Sequence, residues 1–162
     1  MKRYIRGFRR AADAPAPRRA YDQAEESATP MQNDSPICVL IVDDVTNVRT
    51  ELALLLSLSG DVEIIGQAAN GLEAVHLAEM LSPAVVLMDL EMPVLDGYEA
   101  ARLIRARMPG CRVIALSIHD GEDIREECAR AGMDDFVPKG ACVDALLQAI
   151  RQSGGSEEGA AK

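Results

Sequence analysis

The chain has 162 residues, which fits one domain with tails, and 48% of them are hydrophobic, as in proteins with a buried core. No apolar run approaches the roughly 18–20 residues that a membrane span requires, and the start, MKRYIRGFRR, lacks the apolar centre of a secretory signal, so a cytoplasmic protein is expected. The formal net charge of -9 argues against direct nucleic-acid binding by the folded part.

Residues 1–35 are expected to form a disordered N-terminal extension, because they are rich in Ala, Pro and charged residues without a sustained apolar period. This segment holds seven Lys or Arg and five Asp or Glu, whereas the rest of the chain holds ten and twenty-one. A basic arm of this kind could contact an anionic surface, although a solvated extension is the simpler interpretation. We hypothesise that Met31 is the natural start, which sequencing of the native N-terminus would test.

The predicted folded region, residues 36–153, begins with the apolar run ICVLIV, which ends in the acid pair Asp43 and Asp44. A continuous apolar run of this length predicts a strand that is buried on both faces. The next segment places apolar residues at helical spacing before a Ser-Gly terminator, which predicts a helix. These residues are Val48, Leu52, Leu55 and Leu56, with the terminator at Ser59 and Gly60.

The alternation of strands and helices continues through the middle of the chain. DVEIIGQAA predicts a second strand, Asn70 and Gly71 predict a turn, and LEAVHLAEML predicts a second amphipathic helix. PAVVLMD is another fully apolar run, and it ends in Asp89. DGYEAARLIRARMPG predicts a third helix that is closed by Pro-Gly.

Two further strand–helix units complete the predicted domain. CRVIALS predicts a strand ending in Ser117, and GEDIREECARAG predicts a helix with a Gly terminator. DDFVPK predicts a short strand ending in Lys139, and ACVDALLQAIRQSGG predicts the last helix. Residues 154–162 are predicted to be a flexible C-terminal tail, since they are polar and rich in small residues.

Strands that alternate with helices predict βαβ crossovers, and therefore an α/β fold with a doubly wound, five-stranded parallel sheet and helices on both faces. In such open sheets the ligand site lies outside the carboxyl ends of the strands. The polar residues at the strand ends are therefore expected to converge on one edge. These residues are Asp43, Asp44, Asp89, Ser117 and Lys139.

Three carboxylates in a small space repel one another and require a cation. Hard oxygen ligands on a rigid edge suit Mg²⁺, which uses one or two protein carboxylates together with waters and a phosphate oxygen. Lys139 adds a point charge for an anion, and Ser117 adds a hydroxyl donor. Together these groups indicate phosphoryl transfer, in which Asp89 can act as a nucleophile and form an aspartyl phosphate.

Each of these residues also has a simpler structural interpretation. An acid pair after a strand is common in turns, and a single Asp at a strand end is often a helix cap. Ser117 could be a small residue at a strand end, and Lys139 a solvated surface lysine. The structural interpretations do not explain why these residues stand at successive strand ends.

Four segments resemble the receiver domain of two-component response regulators, of the CheY-like superfamily: IVDD at 41–44, MDLEMPVLDG at 88–97, ALS at 115–117 and FVPK at 136–139. VIALSIHD and NGLEAVHLAE are most similar to the NarL/FixJ-type branch. The resemblance covers about residues 37–152 and implies a flavodoxin-like (βα)5 fold.

The resemblance implies a role for each matching residue. Asp89 is expected to be the phosphoacceptor, with Mg²⁺ bound by Asp43, Asp44, Asp89 and the backbone carbonyl of Glu91. Ser117 and Lys139 are expected to bind the phosphoryl group, with Ser117 as the switch hydroxyl. Phe136 stands at the aromatic switch position, and because it has no hydroxyl its switch must depend on packing.

Three further positions are expected to tune hydrolysis of the phosphorylated form. Ile118 is bulkier than the residue that the family usually has there, so we expect it to narrow access to Asp89 and to slow exchange with small phosphodonors. Glu91 adds negative charge near the metal, and His119 could steer water. A solvated loop residue is an equally good interpretation of His119.

The function implied by the resemblance is acceptance of a phosphoryl group from a phosphohistidine on a sensor histidine kinase or histidine phosphotransfer protein. The result would be changed binding to a downstream protein effector, by a monomer or weak homodimer that is not an enzyme beyond its own phosphorylation and dephosphorylation. One alternative is a non-phosphorylated, receiver-like binding module. Another is a metal-dependent phosphatase with an Asp nucleophile and Glu91 as general acid.

Members of the NarL/FixJ-type branch usually carry a DNA-binding helix-turn-helix after the receiver. Here SGGSEEGAAK follows Gln152, and this segment is too short and polar for such a domain. We therefore expect a stand-alone receiver, or one whose output domain was lost or cut off.

Overall fold

A computed structural model describes residues 35–152, in which five strands alternate with five helices. The strands are β1 (Ile37–Val42), β2 (Val62–Ala68), β3 (Val85–Asp89), β4 (Arg112–Ser117) and β5 (Asp135–Pro138). The helices are α1 (Thr46–Ser57), α2 (Gly71–Leu81), α3 (Gly97–Arg107), α4 (Glu122–Arg130) and α5 (Val143–Arg151). The predicted extension, except Ser35, and the predicted tail lie outside the described residues, as does Met31.

All neighbouring strands pair in parallel, and their order in the sheet is β2-β1-β3-β4-β5. The predicted doubly wound α/β fold is thus confirmed. Parallel pairing requires a crossover between consecutive strands, and the four helices α1 to α4 supply these crossovers. None of the helices within residues 35–152 is long and apolar enough to cross a membrane.

Side chains on the two faces of the sheet build two separate parts of the core. Leu40 and Val42 of β1 pack on the face covered by α2, α3 and α4, whereas Val39 and Ile41 pack on the face covered by α1 and α5. Every residue of β3, the middle strand, is buried. This arrangement explains why β1 and β3 read as unbroken apolar runs, since both faces of each strand are covered.

Two helices begin at side-chain caps that the sequence analysis did not identify as caps. Asn70, predicted to lie in a turn, is the N-cap of α2, and its Oδ1 accepts a hydrogen bond of 2.9 Å from the Glu73 N–H. Asp96 caps α3 in the same way, with 2.9 Å from its Oδ1 to the Glu99 nitrogen. An Asn or Asp before Gly satisfies an otherwise unpaired N–H of the first helical turn, so the chain passes directly into each helix.

Candidate functional site

The three predicted acids lie together at the carboxyl edge of the sheet. One carboxylate oxygen from each of Asp43, Asp44 and Asp89 lies within 4.8 Å of the others. Asp89 is the last residue of β3 and Asp43 directly follows β1, and both are buried, whereas Asp44 is exposed. Adjacent parallel strands bring these ends together, and the exposed Asp44 leaves the cluster open to solvent.

Lys139 reaches the acid cluster from the end of β5, which is an edge strand of the sheet. Its Nζ lies 2.7 Å from Asp43 Oδ2 and 3.1 Å from Asp89 Oδ1. Its backbone N–H donates a hydrogen bond of 2.8 Å to the Ser117 carbonyl, which fixes the base of the side chain beside β4. The lysine therefore extends from the end of β5 over the ends of β4 and β3 to reach Asp43.

The charges in this cluster shift two pKa values. Burial raises the pKa of Asp89 above its usual range, and although Lys139 and the Glu91 N–H oppose that rise, Asp43 adds to it. Burial alone would lower the pKa of Lys139, but its hydrogen bonds to Asp43 and Asp89 outweigh burial and raise that pKa. Lys139 therefore stays protonated between the two acids.

The donor set of the cluster fits a divalent cation. Three carboxylates against one lysine leave an excess of negative charge when the acids are ionised, and all the side-chain ligands are hard oxygens, as Mg²⁺ prefers. Asp43, Asp44 and Asp89 could hold the ion, with the solvent-exposed side left for water. The predicted fourth ligand, the Glu91 carbonyl, stays a prediction.

Arg49 supports the acid pair, and the sequence analysis did not identify it. Its Nη1 donates a hydrogen bond of 2.6 Å to the carbonyl of Asp43, the peptide that links the two acids, and its Nη2 donates one of 3.2 Å to Thr46 Oγ1. The Val45 N–H donates a hydrogen bond of 2.8 Å to Asp43 Oδ1. A basic residue in α1 shortly after an acid pair was the available signal.

Ser117, the last residue of β4, is buried beside the lysine. Its Oγ accepts a hydrogen bond of 3.0 Å from the His119 N–H. A hydroxyl has one proton to donate in addition to its acceptor sites, so the Ser117 proton can serve a further acceptor. This arrangement links the predicted switch hydroxyl to the loop between β4 and α4.

The structure also brings two of the predicted tuning residues together. His119 Nε2 lies 3.6 Å from Glu91 Oε1, and both side chains are exposed. The phosphatase alternative would use the Glu91 carboxylate as a general acid, and that carboxylate lies against His119. The role of this pair in hydrolysis stays a prediction.

Ile118 and Phe136 differ in burial. Ile118 is 72% exposed and lines a groove of about 360 Å³ together with Lys139 and residues of α1 and α5. The narrowing of access to Asp89 by Ile118 stays a prediction.

Phe136 is only 9% exposed and packs in the core on the α2, α3 and α4 face. The guanidinium of Arg125 covers its ring, with Cζ 4.5 Å from the ring centroid.

Gly97 allows the loop between β3 and α3 to pass close to the end of β3. A Cβ at this position would overlap the Asp89 carbonyl oxygen, and it would lie 2.9 Å from the Leu90 Cα. The Gly97 N–H donates a hydrogen bond of 3.0 Å to the Leu90 carbonyl. The Asp-Gly of the sequence motif thus provides a helix cap followed by the only residue type without a side chain.

Val94 gives the same loop a strained turn. Its φ of 71° is rare for a β-branched residue, and the Leu95 N–H donates a hydrogen bond of 2.9 Å to the Pro93 carbonyl across it. These features describe a γ-turn with positive φ, which is a strained conformation. The Val94 side chain is 78% exposed, so little packing compensates for the strain.

Val94→Gly is expected to raise the free energy of unfolding by about 1 kcal/mol. Relief of backbone strain contributes about 1–3 kcal/mol, and the greater freedom of Gly in the unfolded chain removes about 0.5–1 kcal/mol of this. Urea unfolding followed by circular dichroism would measure the change. Val94→Ala, which keeps the unfavourable φ but lacks the β-branch, is the control. A Gly variant less stable than the Ala variant would contradict the assignment of strain.

Comparison with known proteins gives a consistent result. The profile of the response regulator receiver domain matches residues 39–151. The nitrate/nitrite response regulator protein NarL of Escherichia coli K12 is 31% identical over 127 residues, which are 78% of this chain. The response regulator domain of Thermotoga maritima CheB superimposes with a TM-score of 0.68 at 37% identity, covering 73% of this chain and 96% of that one.

The chain spans only part of its curated relatives. It covers 59% of the length of E. coli NarL and 54% of the response regulator GacA of Pseudomonas aeruginosa, which is 35% identical over 116 residues, or 72% of this chain. The similarity to these longer proteins is therefore a similarity to about half of each.

Proposed function

Because the chain belongs to the response regulator receiver domain family of two-component systems, we propose that Asp89 accepts a phosphoryl group from a phosphohistidine. The donor would be a sensor histidine kinase or a histidine phosphotransfer protein. The observation that carries this proposal is the cluster at the sheet edge, where Asp89 lies with Asp43 and Asp44 and Lys139 Nζ is 3.1 Å away.

The proposed transfer forms an O–P bond and breaks an N–P bond. An Asp89 carboxylate oxygen attacks the phosphorus atom, and the imidazole of the donor leaves with the electron pair of the N–P bond. Mg²⁺ held by Asp43, Asp44 and Asp89 would neutralise charge on the phosphoryl oxygens. Attack of water on the aspartyl phosphate would release inorganic phosphate and restore the carboxylate.

Lys139 and Ser117 would respond to the new group on Asp89. A phosphoryl group brings additional negative oxygens next to Lys139 Nζ, which already lies between Asp43 and Asp89. Lys139 would pair with one of these oxygens, and Ser117 would donate its hydroxyl proton to another. We propose that this change, made at the ends of β4 and β5, alters the binding of a downstream protein effector.

The proposals on oligomeric state and on nucleic-acid contacts also depend on membership of this family. We propose a receiver that acts as a monomer or weak homodimer, without direct nucleic-acid contacts by its folded domain. Residues 36–162 hold twenty-one acidic residues against ten basic residues, and such an excess of negative charge repels the phosphate backbone. The competing possibility is a binding module that is never phosphorylated, and the following experiment distinguishes the two.

Incubation with Mg²⁺ and a phosphodonor is expected to add the mass of one phosphoryl group to the intact wild-type protein. Asp89→Asn should prevent this addition, since an amide is not a nucleophile here, and removal of metal with EDTA should prevent it as well. Asp144→Asn, an exposed acid in the first turn of α5, is the matched control and should be labelled like the wild type. Mass spectrometry would make the measurement.

Two donors should be used in parallel, acetyl phosphate and a phosphorylated histidine kinase, because Ile118 is predicted to hinder small donors. Labelling of Asp89→Asn to the same extent as the wild type would exclude Asp89 as the acceptor. A folded wild-type protein that neither donor labels would favour the binding module.

A further inference from the structure

Arg125, near the start of α4, contacts two different parts of the molecule at once. Its Nε donates a hydrogen bond of 2.8 Å to Asp120 Oδ1, and its Nη2 donates one of 3.1 Å to Asp120 Oδ2. The same guanidinium covers the ring of Phe136 in β5. A guanidinium that pairs along its edge can still stack through its flat face. We call these three residues the Arg125 stack.

The Arg125 stack is joined to the phosphoryl-binding end of the site through a short piece of backbone. Ser117 Oγ accepts the hydrogen bond from the His119 N–H, and Asp120 is the next residue along the chain. If the Ser117 side chain moves toward a phosphoryl group on Asp89, its Oγ must either release the His119 N–H or draw the loop with it. When the loop follows Oγ, the Asp120 carboxylate that Arg125 holds moves with it.

We infer that Arg125 is a positioning residue, and that its stack on Phe136 and pairing with Asp120 favour the unphosphorylated arrangement of the loop between β4 and α4. Phosphorylation of Asp89 would act against this contact. The inference rests on the proposed function, and it specifies how the site is regulated. Phe136 has no hydroxyl that could bond to the loop. The guanidinium of Arg125 connects the two instead, because it stacks on the ring and pairs with Asp120 of the loop.

Charge and burial set the size of the expected effect. The side chains of Arg125 and Asp120 are each 48% exposed, so their ion pair by itself stabilises the arrangement very little. The pairing does lower the pKa of Asp120 and raise that of Arg125 from their usual values, as expected for a held pair. A cation–ring contact at an exposed position shifts an equilibrium roughly two- to fivefold.

A contact that is present in only one of two states changes the balance between these states. It must change the affinity of a ligand that selects one state by the same factor. If the Arg125 stack favours the unphosphorylated arrangement, its removal shifts the population toward the other arrangement. A ligand that selects the other arrangement then binds more tightly by that same factor, as linkage requires. Loss of Arg125 should therefore strengthen the binding of a phosphoryl mimic, whereas loss of a simple structural contact should not.

Beryllium fluoride with Mg²⁺ is a suitable probe, because it occupies the position of a phosphoryl group on a carboxylate. We would titrate it into the full chain carrying phenylalanine with ¹³C in the ring and follow the NMR spectrum. The chain has two phenylalanines, so Phe8→Leu assigns the Phe136 signals. The variants are Arg125→Ala and Asp120→Asn. The matched control is Arg130→Ala, because Arg130 pairs with Glu126 on α4 itself at 2.8 Å and the pair is exposed.

Arg125→Ala is expected to bind beryllium fluoride two- to fivefold more tightly than the wild type. Before any addition, its Phe136 signals should already be displaced toward the positions that the wild type reaches when saturated. Asp120→Asn should produce a smaller change in the same direction, and Arg130→Ala should match the wild type in both measurements.

The outcomes separate the inference from the proposed function. If the wild type, Arg125→Ala and Arg130→Ala bind equally and give the same Phe136 signals, the regulatory role of Arg125 is wrong while the proposed function stands. Weaker binding by Arg125→Ala would also overturn the inference. If the folded wild type does not bind beryllium fluoride at all, the proposed function and the inference fail together.

Discussion

Replacement of Lys139 by methionine is expected to lower the free energy of unfolding by about 3 kcal/mol in metal-free solution at neutral pH. Lys139 Nζ hydrogen-bonds Asp43 and contacts Asp89, and these two carboxylates are almost fully buried. Loss of the cation leaves them uncompensated, and removal of one partner of a buried ion pair typically costs several kcal/mol. Urea unfolding in EDTA, followed by circular dichroism, would measure the loss.

The effect of Lys139→Met should depend on pH and on metal. The pKa of Asp89 is raised in the folded protein, and without the lysine it should rise further. A raised carboxyl pKa means that the folded state takes up a proton at a higher pH than the unfolded state does. The stability that Lys139→Met loses relative to the wild type should therefore shrink as the pH falls from neutral toward the ordinary Asp pKa of 3.8. Mg²⁺ should restore part of the stability, because it replaces the missing positive charge.

The control for this prediction is Arg130→Met, which removes a cation from an exposed pair and should change stability by less than about 0.5 kcal/mol. Equal stability of Lys139→Met and the wild type in EDTA would show that the desolvation of the lysine cancels its attraction to the acids. The proposed balance of charges in the cluster would then be wrong.

Gly97→Ala is expected to lower the free energy of unfolding by about 3–4 kcal/mol or to prevent folding, since overpacking against backbone costs at least 1–3 kcal/mol. The added methyl group would overlap the carbonyl oxygen of Asp89, and no side-chain movement can relieve that overlap. Any folded fraction should bind Mg²⁺ more weakly, because the strand end that holds Asp89 must shift. Thermal unfolding and calorimetric titration with Mg²⁺ would measure the two effects.

Gly110→Ala is the matched control, because a Cβ at Gly110 would meet nothing within 4 Å among the described residues and its backbone is not left-handed. This substitution should change the free energy of unfolding by less than about 1 kcal/mol, and any change should be an increase. Similar stability and similar Mg²⁺ affinity of the two alanine variants would contradict the role assigned to Gly97.

The sequence was sufficient to predict the fold because the relevant pattern is carried by consecutive residues. Apolar runs such as that of β3, separated by segments with helical spacing, predicted a doubly wound parallel sheet. The topology then placed Asp43, Asp89 and Lys139 at one edge, and the structure does bring them together. The arrangement of strand ends follows from the fold, whatever the details of the loops.

Contacts made by long side chains across loops could not be predicted in this way. The hydrogen bond from Arg49 to the Asp43 carbonyl and the stacking of Arg125 on Phe136 depend on where a flexible side chain reaches, and no sequence period records this. Val94 is a different case, since a β-branched residue argues against the positive φ that it adopts. The hydrogen bond from the Leu95 N–H to the Pro93 carbonyl closes the turn in which Val94 adopts this φ.

The hydrogen bond between Lys139 and Asp43 joins residues that are 96 positions apart in the chain. A chain in the course of synthesis, or one cleaved before β5, has Asp89 but lacks the lysine that completes the site. Contacts of such long range also form late, because closing a long loop has an entropic cost that only the finished domain offsets. Under the proposed function, a chain could therefore respond to its phosphodonor only after it has finished folding, because the lysine that would hold the phosphoryl group joins the site late.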